Sequence, residues 1–262
     1  MTHDFSVAYD TVWHFTCESI FVIIEKLETI KPRDIVLVPD YPDYPIDLIR
    51  RIIPVGVKIE TRRNKSNPKW GDLKSELKYI GIKDGNPAAV PLCDKLIGHV
   101  PKTEYEDLVV LRVRLKNRRV QPISTIQELI DVLGKDYNVM VIEHPMAELC
   151  EPVIFDNCKM LLNPTYETQL SLFSAVKLYI ALGCGSGDIY ASIHKTPMIT
   201  LQPHMFYEQG HFLLPKDHRR VIVLSEGMEY RKGGCITQNE DCTKIKSADI
   251  LREVDNLIER GK

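Results

Sequence analysis

Leu178-Tyr179-Ile180-Ala181-Leu182-Gly183-Cys184-Gly185-Ser186-Gly187-Asp188 decides how this chain is read. An apolar, strand-like segment runs into a turn in which every second residue is glycine. A short helix-like segment, Ile189 to His194, follows at once. Glycines at a strand-to-helix turn let the backbone approach a ligand closely, and the helix start favours anionic groups such as phosphates. The stretch therefore predicts a βα unit of a parallel sheet with a ligand-facing turn.

Outward from that turn, apolar runs alternate with amphipathic ones, the pattern of βαβ units. In the first part the spacing predicts a strand near Phe5–Tyr9, a helix near Trp13–Leu27, a strand at Asp34–Val38, a helix near Ile46–Ile53 and a strand at Val57–Thr61. The pattern weakens between Asn64 and Lys102, where Pro68, Pro87, Pro91 and Pro101 interrupt it. A second series opens with the buried-strand run Asp107–Leu115. A helix Thr125–Leu133 follows, with Ser124 as its N-cap and Gly134 as its stop. Strands at Asn138–Glu143 and Lys159–Leu162 come next, then a helical segment within Tyr166–Lys177. Beyond the glycine turn, strands are expected at Pro197–Leu201 and Val221–Leu224, and an amphipathic helix closes the series at Ser247–Glu259.

The expected fold class is α/β: two Rossmann-like α/β/α domains facing a cleft. The first comprises residues 1–104 and the second 105–262, with the last helix, 247–260, able to pack back on the first. Ligands of such sheets bind beyond the carboxyl ends of the strands.

Bulk properties narrow the function classes. At 262 residues, 44% hydrophobic and 27% charged, the chain has an ordinary globular composition. Its net charge of −2 gives no reason to expect nucleic acid or an anionic membrane as partner. Seven widely spaced cysteines, none in a C-x-x-C pair, indicate neither a disulfide framework nor a zinc ribbon. Met1–Phe5 lacks the pattern of a signal peptide, and the apolar stretch Ile20–Ile24 is too short to span a bilayer. A cytoplasmic setting is the resulting expectation.

Read alone, Gly183–Gly187 is similar to the glycine-rich motif of S-adenosylmethionine-dependent methyltransferases. That family normally carries the motif on the first strand, with an acid two places before the first glycine; here that place is Ala181. The next strand ends in Gln202-Pro203-His204 without a carboxylate for the ribose, and too little chain follows Ile180 for the rest of such a sheet.

Read among its neighbours, the run resembles the donor half of GT-B glycosyltransferases: helix, strand, small-residue turn, short helix, then Thr196-Pro197-Met198-Ile199-Thr200-Leu201. Leu111-Arg112-Val113-Arg114-Leu115-Lys116-Asn117-Arg118-Arg119-Val120 looks like the opening of the C-terminal domain in the GT61 group of inverting enzymes. Trp13-His14-Phe15-Thr16-Cys17-Glu18 is similar to that group's "His-aromatic-x-x-acid" helix. GT61 members usually show His-Gly-Ala-Gly where this chain has Cys184-Gly185-Ser186-Gly187. The resemblance implies a glycosyltransferase that moves a sugar from a nucleotide diphosphate sugar, UDP-sugar favoured, to a glycan or other hydroxyl acceptor. It implies inversion, no essential metal and no cofactor beyond the nucleotide-sugar co-substrate. A methyltransferase and a non-catalytic nucleotide- or glycan-binding module are the alternatives.

Such a reaction needs a stabilised leaving group, a deprotonated acceptor and alignment of both. Arg112 and Arg114 alternate on one strand and share a face. A guanidinium fork suits phosphate, so these, with Arg118 or Arg119, are candidates to offset leaving-group charge; an ion pair is the simpler role. Gly185, Ser186, Gly187 and Asp188 are the candidate diphosphate turn, Asp188 being also a natural helix-start residue. Glu143 and His144 end a strand where, the resemblance implies, GT-B enzymes often recognise base or ribose; a loop start is the simpler role. Tyr166 and Glu167 precede the glycine strand, and Glu167 either contacts ribose or favours its own helix start. On the acceptor side Asp10, His14 and Glu18 lie at i, i+4 and i+8, one helix face, with His14 or Asp10 as the candidate base. A metal on His14 and Glu18 lacks a third spaced ligand.

Overall fold

A computed structural model describes residues 1–5, 20–40, 45–62, 89–113, 121–143, 153–162, 164–182, 188–201, 220–223 and 245–259. These divide into two compact units. One is drawn from Met1–Pro101 together with Thr165–Ser171, the other from Lys102–Pro164 and the described residues from Leu172 onward.

The first unit carries a parallel three-stranded sheet in the order β1 (Thr2–Asp4), β2 (Ile35–Pro39), β3 (Lys58–Arg62). Helices α1 (Ile20–Lys26), α2 (Ile46–Ile52) and α3 (Ala89–Gly98) belong to it. Val36 and Val38 alternate inward from β2, and Leu48, Ile49, Ile52, Cys93 and Leu96 supply helical core positions. The opening strand is Thr2–Asp4, earlier than the sequence suggests. Its ladder to β2 is continued by the Phe5 amide on the Leu37 carbonyl, and the rest of the predicted strand, residues 6–9, lies outside the described residues. Residues 6–19, the first part of the predicted helix, lie outside the described residues. Helix α3 falls where the pattern had seemed to fail. Pro91 is its third residue, a first-turn position where a missing amide costs nothing.

Asp34, just ahead of β2, is only 8% exposed and ties the amino ends of this sheet together. Its carboxylate accepts the Met1 ammonium at 2.6 Å, the Lys31 amide at 2.9 Å and His3 Nε2 at 2.9 Å. Those three donors, the ammonium first, hold its acid well below the usual carboxylate range.

The second unit is built on a six-stranded, all-parallel sheet. Its strands are β4 (Leu108–Val113), β5 (Asn138–Glu143), β6 (Lys159–Leu161), β7 (Val176–Leu182), β8 (Met198–Leu201) and β9 (Arg220–Val223), in the order β6-β5-β4-β7-β8-β9. Every residue of β4 is buried, as expected for a central strand covered on both faces. Val109, Leu111 and Val113 face one cluster with helices α4 (Ile123–Leu133) and α7 (Ser247–Glu259). Ile126, Leu129, Ile130 and Leu133 come from α4, and Ile250, Val254 and Leu257 from α7. The apolar stripe of the last helix is buried in this unit's core.

Helix α4 starts at Ile123 with Pro122 as its N-cap and no side-chain cap, so Ser124 lies inside its first turn rather than capping it. Gly134 does close it, its amide bonding to the Ile130 carbonyl. A Cβ there would stand 2.9 Å from that carbonyl, which is why the stop is glycine. At the start of α7 the Asp249 side chain accepts the Lys246 amide at 3.4 Å, so the acid three residues on, and not Ser247, serves the helix end. Among the described residues no helix is long and apolar enough to cross a membrane.

Candidate functional site

Strand order locates the functional end of the second unit. From β4 the chain builds outward through β5 to β6; it then returns to the other side of β4 and builds outward through β7, β8 and β9. The direction reverses between β4 and β7. In doubly wound sheets the crevice outside the carboxyl ends of the two strands at such a reversal is the place for a ligand. β4, β5 and β7 end level there, with Val113 paired to both Glu143 and Leu182.

Both stretches singled out by the sequence depart from those strand ends. Gly183–Gly187 joins Leu182, the last residue of β7, to Asp188, the first of α6 (Asp188–Ile193). The arginine-rich residues 114–120 follow directly on Val113. Both connections, and hence Arg114, Arg118, Arg119, Gly185, Ser186 and Gly187, lie outside the described residues, as do His144, Asp10, His14 and Glu18. Glu143 ends β5 beside Val113, and Asp188 opens α6.

Arg112 is the one sequence-predicted arginine whose surroundings are described. It is 2% exposed, one residue from the end of β4, on the sheet face opposite the α4–α7 cluster. Its register neighbours are Ile142 on β5 and Ala181 on β7, and Ala181 in turn pairs with Thr200 on β8. One row nearer the amino ends lie Met140, Val110, Tyr179 and Met198, all buried. A guanidinium is thus held inside the molecule, one residue from the carboxyl end of the central strand. A fully buried charge is expensive to keep and is rarely retained for packing alone.

The helix behind the glycine turn is fastened to this same face. Tyr190 and Ile193 of α6 are buried, and Phe173 lies 5.6 Å from Tyr190 and 5.3 Å from Tyr179 between ring centroids. Tilted ring pairs at these separations add to the burial energy of the rings. The two elements that flank the turn, β7 and α6, are therefore packed through one aromatic group.

Tyr166 and Glu167 are placed elsewhere. They open α5 (Tyr166–Leu172), whose residues 166–171, with Thr165 before them, group with the first unit. Thr165 caps that helix, its Oγ1 accepting the Thr168 amide at 3.1 Å. Tyr166 is buried, and the Glu167 carboxylate accepts a hydrogen bond from the Arg51 guanidinium of α2. Glu167 is therefore engaged in an ion pair of the first unit, whereas Arg112, Glu143 and Asp188 belong to the second. Thr200 and Ala181, which flank the strand end together with Arg112, were not among the residues the sequence singled out. A threonine in an apolar strand reads as an ordinary strand former.

No protein-family model matches the chain, and no curated protein sequence matches it. Solved structures do match in fold. The iron-containing dodecameric glycosyltransferase TibC of enterotoxigenic E. coli is similar at a TM-score of 0.57 and 12% identity, over 97% of this chain and 75% of that one. TibC in complex with ADP-D-β-D-heptose matches at a TM-score of 0.52 and 13% identity, over 96% of this chain and 75% of that one. The ADP-heptose LPS heptosyltransferase II of E. coli matches at a TM-score of 0.54 and 11% identity, over 97% of this chain and 98% of that one. At these identities the likeness is one of fold. The fold is the GT-B type, with two Rossmann-like α/β units, as the sequence pattern predicts.

Proposed function

We propose that the chain is a glycosyltransferase that takes a sugar from a nucleotide diphosphate sugar. The observation that carries this reading is the position of the two sequence motifs. The glycine run and the arginine-rich stretch continue from the two strands, β7 and β4, that bound the switch point of a parallel six-stranded sheet. The GT-B fold of the neighbours supports the same reading.

In this reading Ser186 and Gly187 meet the diphosphate, with Gly185 providing the close backbone approach and Asp188 serving the helix start. Arg114, with Arg118 or Arg119, offsets the charge that develops on the departing nucleotide. Glu143 and His144 recognise base or ribose. The acceptor hydroxyl is deprotonated by His14 or Asp10, with Glu18 on the same helix face. UDP is the favoured nucleotide, a glycan or other hydroxyl compound the acceptor, and transfer inverts without an essential metal. The finer placement in the GT61-like group rests on Leu111–Val120 and Trp13–Glu18.

The methyltransferase reading loses ground on topology. That family carries its glycine motif after the first strand of the sheet. Here the strand in that position is β4, which runs on into Arg114, and the glycines follow β7 on the far side of the reversal.

The test is a thermal-shift panel of UDP, ADP, GDP, CDP and S-adenosylmethionine. A ligand of the folded state at about 100 times its Kd adds about 2.7 kcal/mol, a rise of roughly 5 °C or more in Tm for a protein of this size. At least one nucleoside diphosphate is expected to give that rise. A shift with S-adenosylmethionine and with no nucleotide would refute the glycosyltransferase reading.

A further inference from the structure

The two ends of the first unit's sheet treat their charged residues in opposite ways. β1, β2 and β3 are parallel, so their carboxyl ends lie together at one end and their amino ends at the other. At the amino ends Asp34 is buried and its carboxylate is occupied by three donors. At the carboxyl ends the charged groups are exposed. Asp4 closes β1, Arg62 closes β3, and Asp40 follows the last residue of β2. The Arg62 guanidinium reaches past β2, the strand between, and its Nη1 donates to Asp4 Oδ2 at 2.8 Å. The Asp40 amide donates to the Arg62 carbonyl at 3.1 Å, which sets the two backbones side by side.

Much of the bonding capacity at this end is unspent. Arg62 is 61% exposed, and among the described residues its guanidinium, with five N–H groups, has Asp4 as its only partner. The Asp40 carboxylate is exposed and has no partner among them. In open parallel sheets ligands bind beyond the carboxyl ends of the strands. Charge then decides the class of ligand. Two carboxylates and one guanidinium sum to −1, and Asp4 already offsets the cation, so an anionic ligand would meet repulsion from these three groups. A sugar hydroxyl suits both kinds of group, because it donates to a carboxylate and accepts from a guanidinium.

We propose that Arg62 and Asp40 form a binding site for the hydroxyl groups of an uncharged sugar, the acceptor of the transfer. Arg62 donates to one hydroxyl oxygen and Asp40 accepts from another, while Asp4 is a positioning residue that fixes the guanidinium. The chain that leaves β1 at Asp4 next carries Asp10 and His14, the candidate bases, in its sequence. This inference rests on the glycosyltransferase reading and adds to it the acceptor's class and three residues outside its motifs.

The test is titration of the full chain with the methyl glycosides of glucose, galactose and mannose, with and without saturating UDP or ADP, followed by saturation-transfer NMR. Glucuronic acid and glucose 6-phosphate are the charged counterparts. At least one uncharged glycoside is expected to bind, and more tightly than either charged sugar. Arg62→Ala and Asp40→Asn should each weaken that binding about tenfold, the scale of one hydrogen bond to a charged group, and leave nucleotide binding as in the parent. Asp4→Ala should weaken it less, and should cost nothing further in an Arg62→Ala background. Exposed ion pairs add little to stability, so the variants are expected to fold. If Arg62→Ala does not fold, Arg62→Gln makes the same comparison. Additive losses would overturn the role of Asp4. Tighter binding of a charged sugar, binding of no glycoside, or variants that bind as the parent does would overturn the site and leave the nucleotide reading standing. Failure of UDP and ADP to bind as well would count against the reading beneath it.

Discussion

Replacing Arg114 by alanine is expected to lower sugar transfer by about 10²–10³-fold and to weaken nucleoside diphosphate binding in the same protein. Departure of the nucleotide leaves negative charge on the diphosphate, and a preorganised guanidinium is worth most at that moment because its dipole and charge are already aligned. Arg114 is the residue after Val113, which ends β4 at the strand reversal, the place proposed for the diphosphate. The loss should appear in kcat and in the Kd for nucleotide together, since charge builds from the ground state to the transition state. Arg114→Lys should recover part of the binding and little of the rate, because an ammonium cannot grip two phosphate oxygens at once. An alanine variant that binds nucleotide and turns over as the parent does would remove Arg114 from the site.

His14→Ala is expected to separate the two measurements. If His14 is the base that accepts the acceptor's proton, turnover should fall by about 10²–10⁴-fold while nucleotide binding stays within error of the parent. The rate of the parent should rise with pH as the base loses its proton, and that limb of the profile should vanish in the variant. Full turnover in His14→Ala would pass the role to Asp10, whose replacement by asparagine would then carry the same signature.

Much of the second unit is legible in the amino-acid sequence because its central strands are buried on both faces. Leu108–Val113 and Asn138–Glu143 are near-continuous apolar runs, and burial leaves such runs little choice of conformation. Strand β7 begins at Val176, two residues before the apolar run seems to start, because exposed Lys177 interrupts the pattern and is skipped at a register shift against Leu108 and Val109. Helix α3 was hidden by Pro91, and the first strand by its length of three residues. The return of Thr165–Ser171 to the first unit leaves no mark in composition. It is carried by tertiary contacts, Arg51 with Glu167 and the Ser171 hydroxyl donating to the Pro101 carbonyl at 2.7 Å.

The candidate site divides in the same way. Glycine and arginine runs announce themselves, and topology then gives them an address at the β4–β7 reversal. The row that underlies them does not announce itself. Arg112 stands out as a charge within a strand, whereas Ala181 acquires its place only once register sets it beside Arg112. The absence of an acid at Ala181, which counts against a methyltransferase in the sequence, is in the folded chain a small buried residue in register with the buried Arg112.

Amide hydrogen exchange with and without the nucleoside diphosphate that stabilises the chain tests the central claim most directly, because it reports which backbone segments a ligand protects. Slowed exchange is expected in peptides spanning residues 182–189 and 113–120, the continuations of β7 and β4. Unchanged exchange in both, with protection confined to other segments, would contradict the assignment of the glycine run as the diphosphate turn.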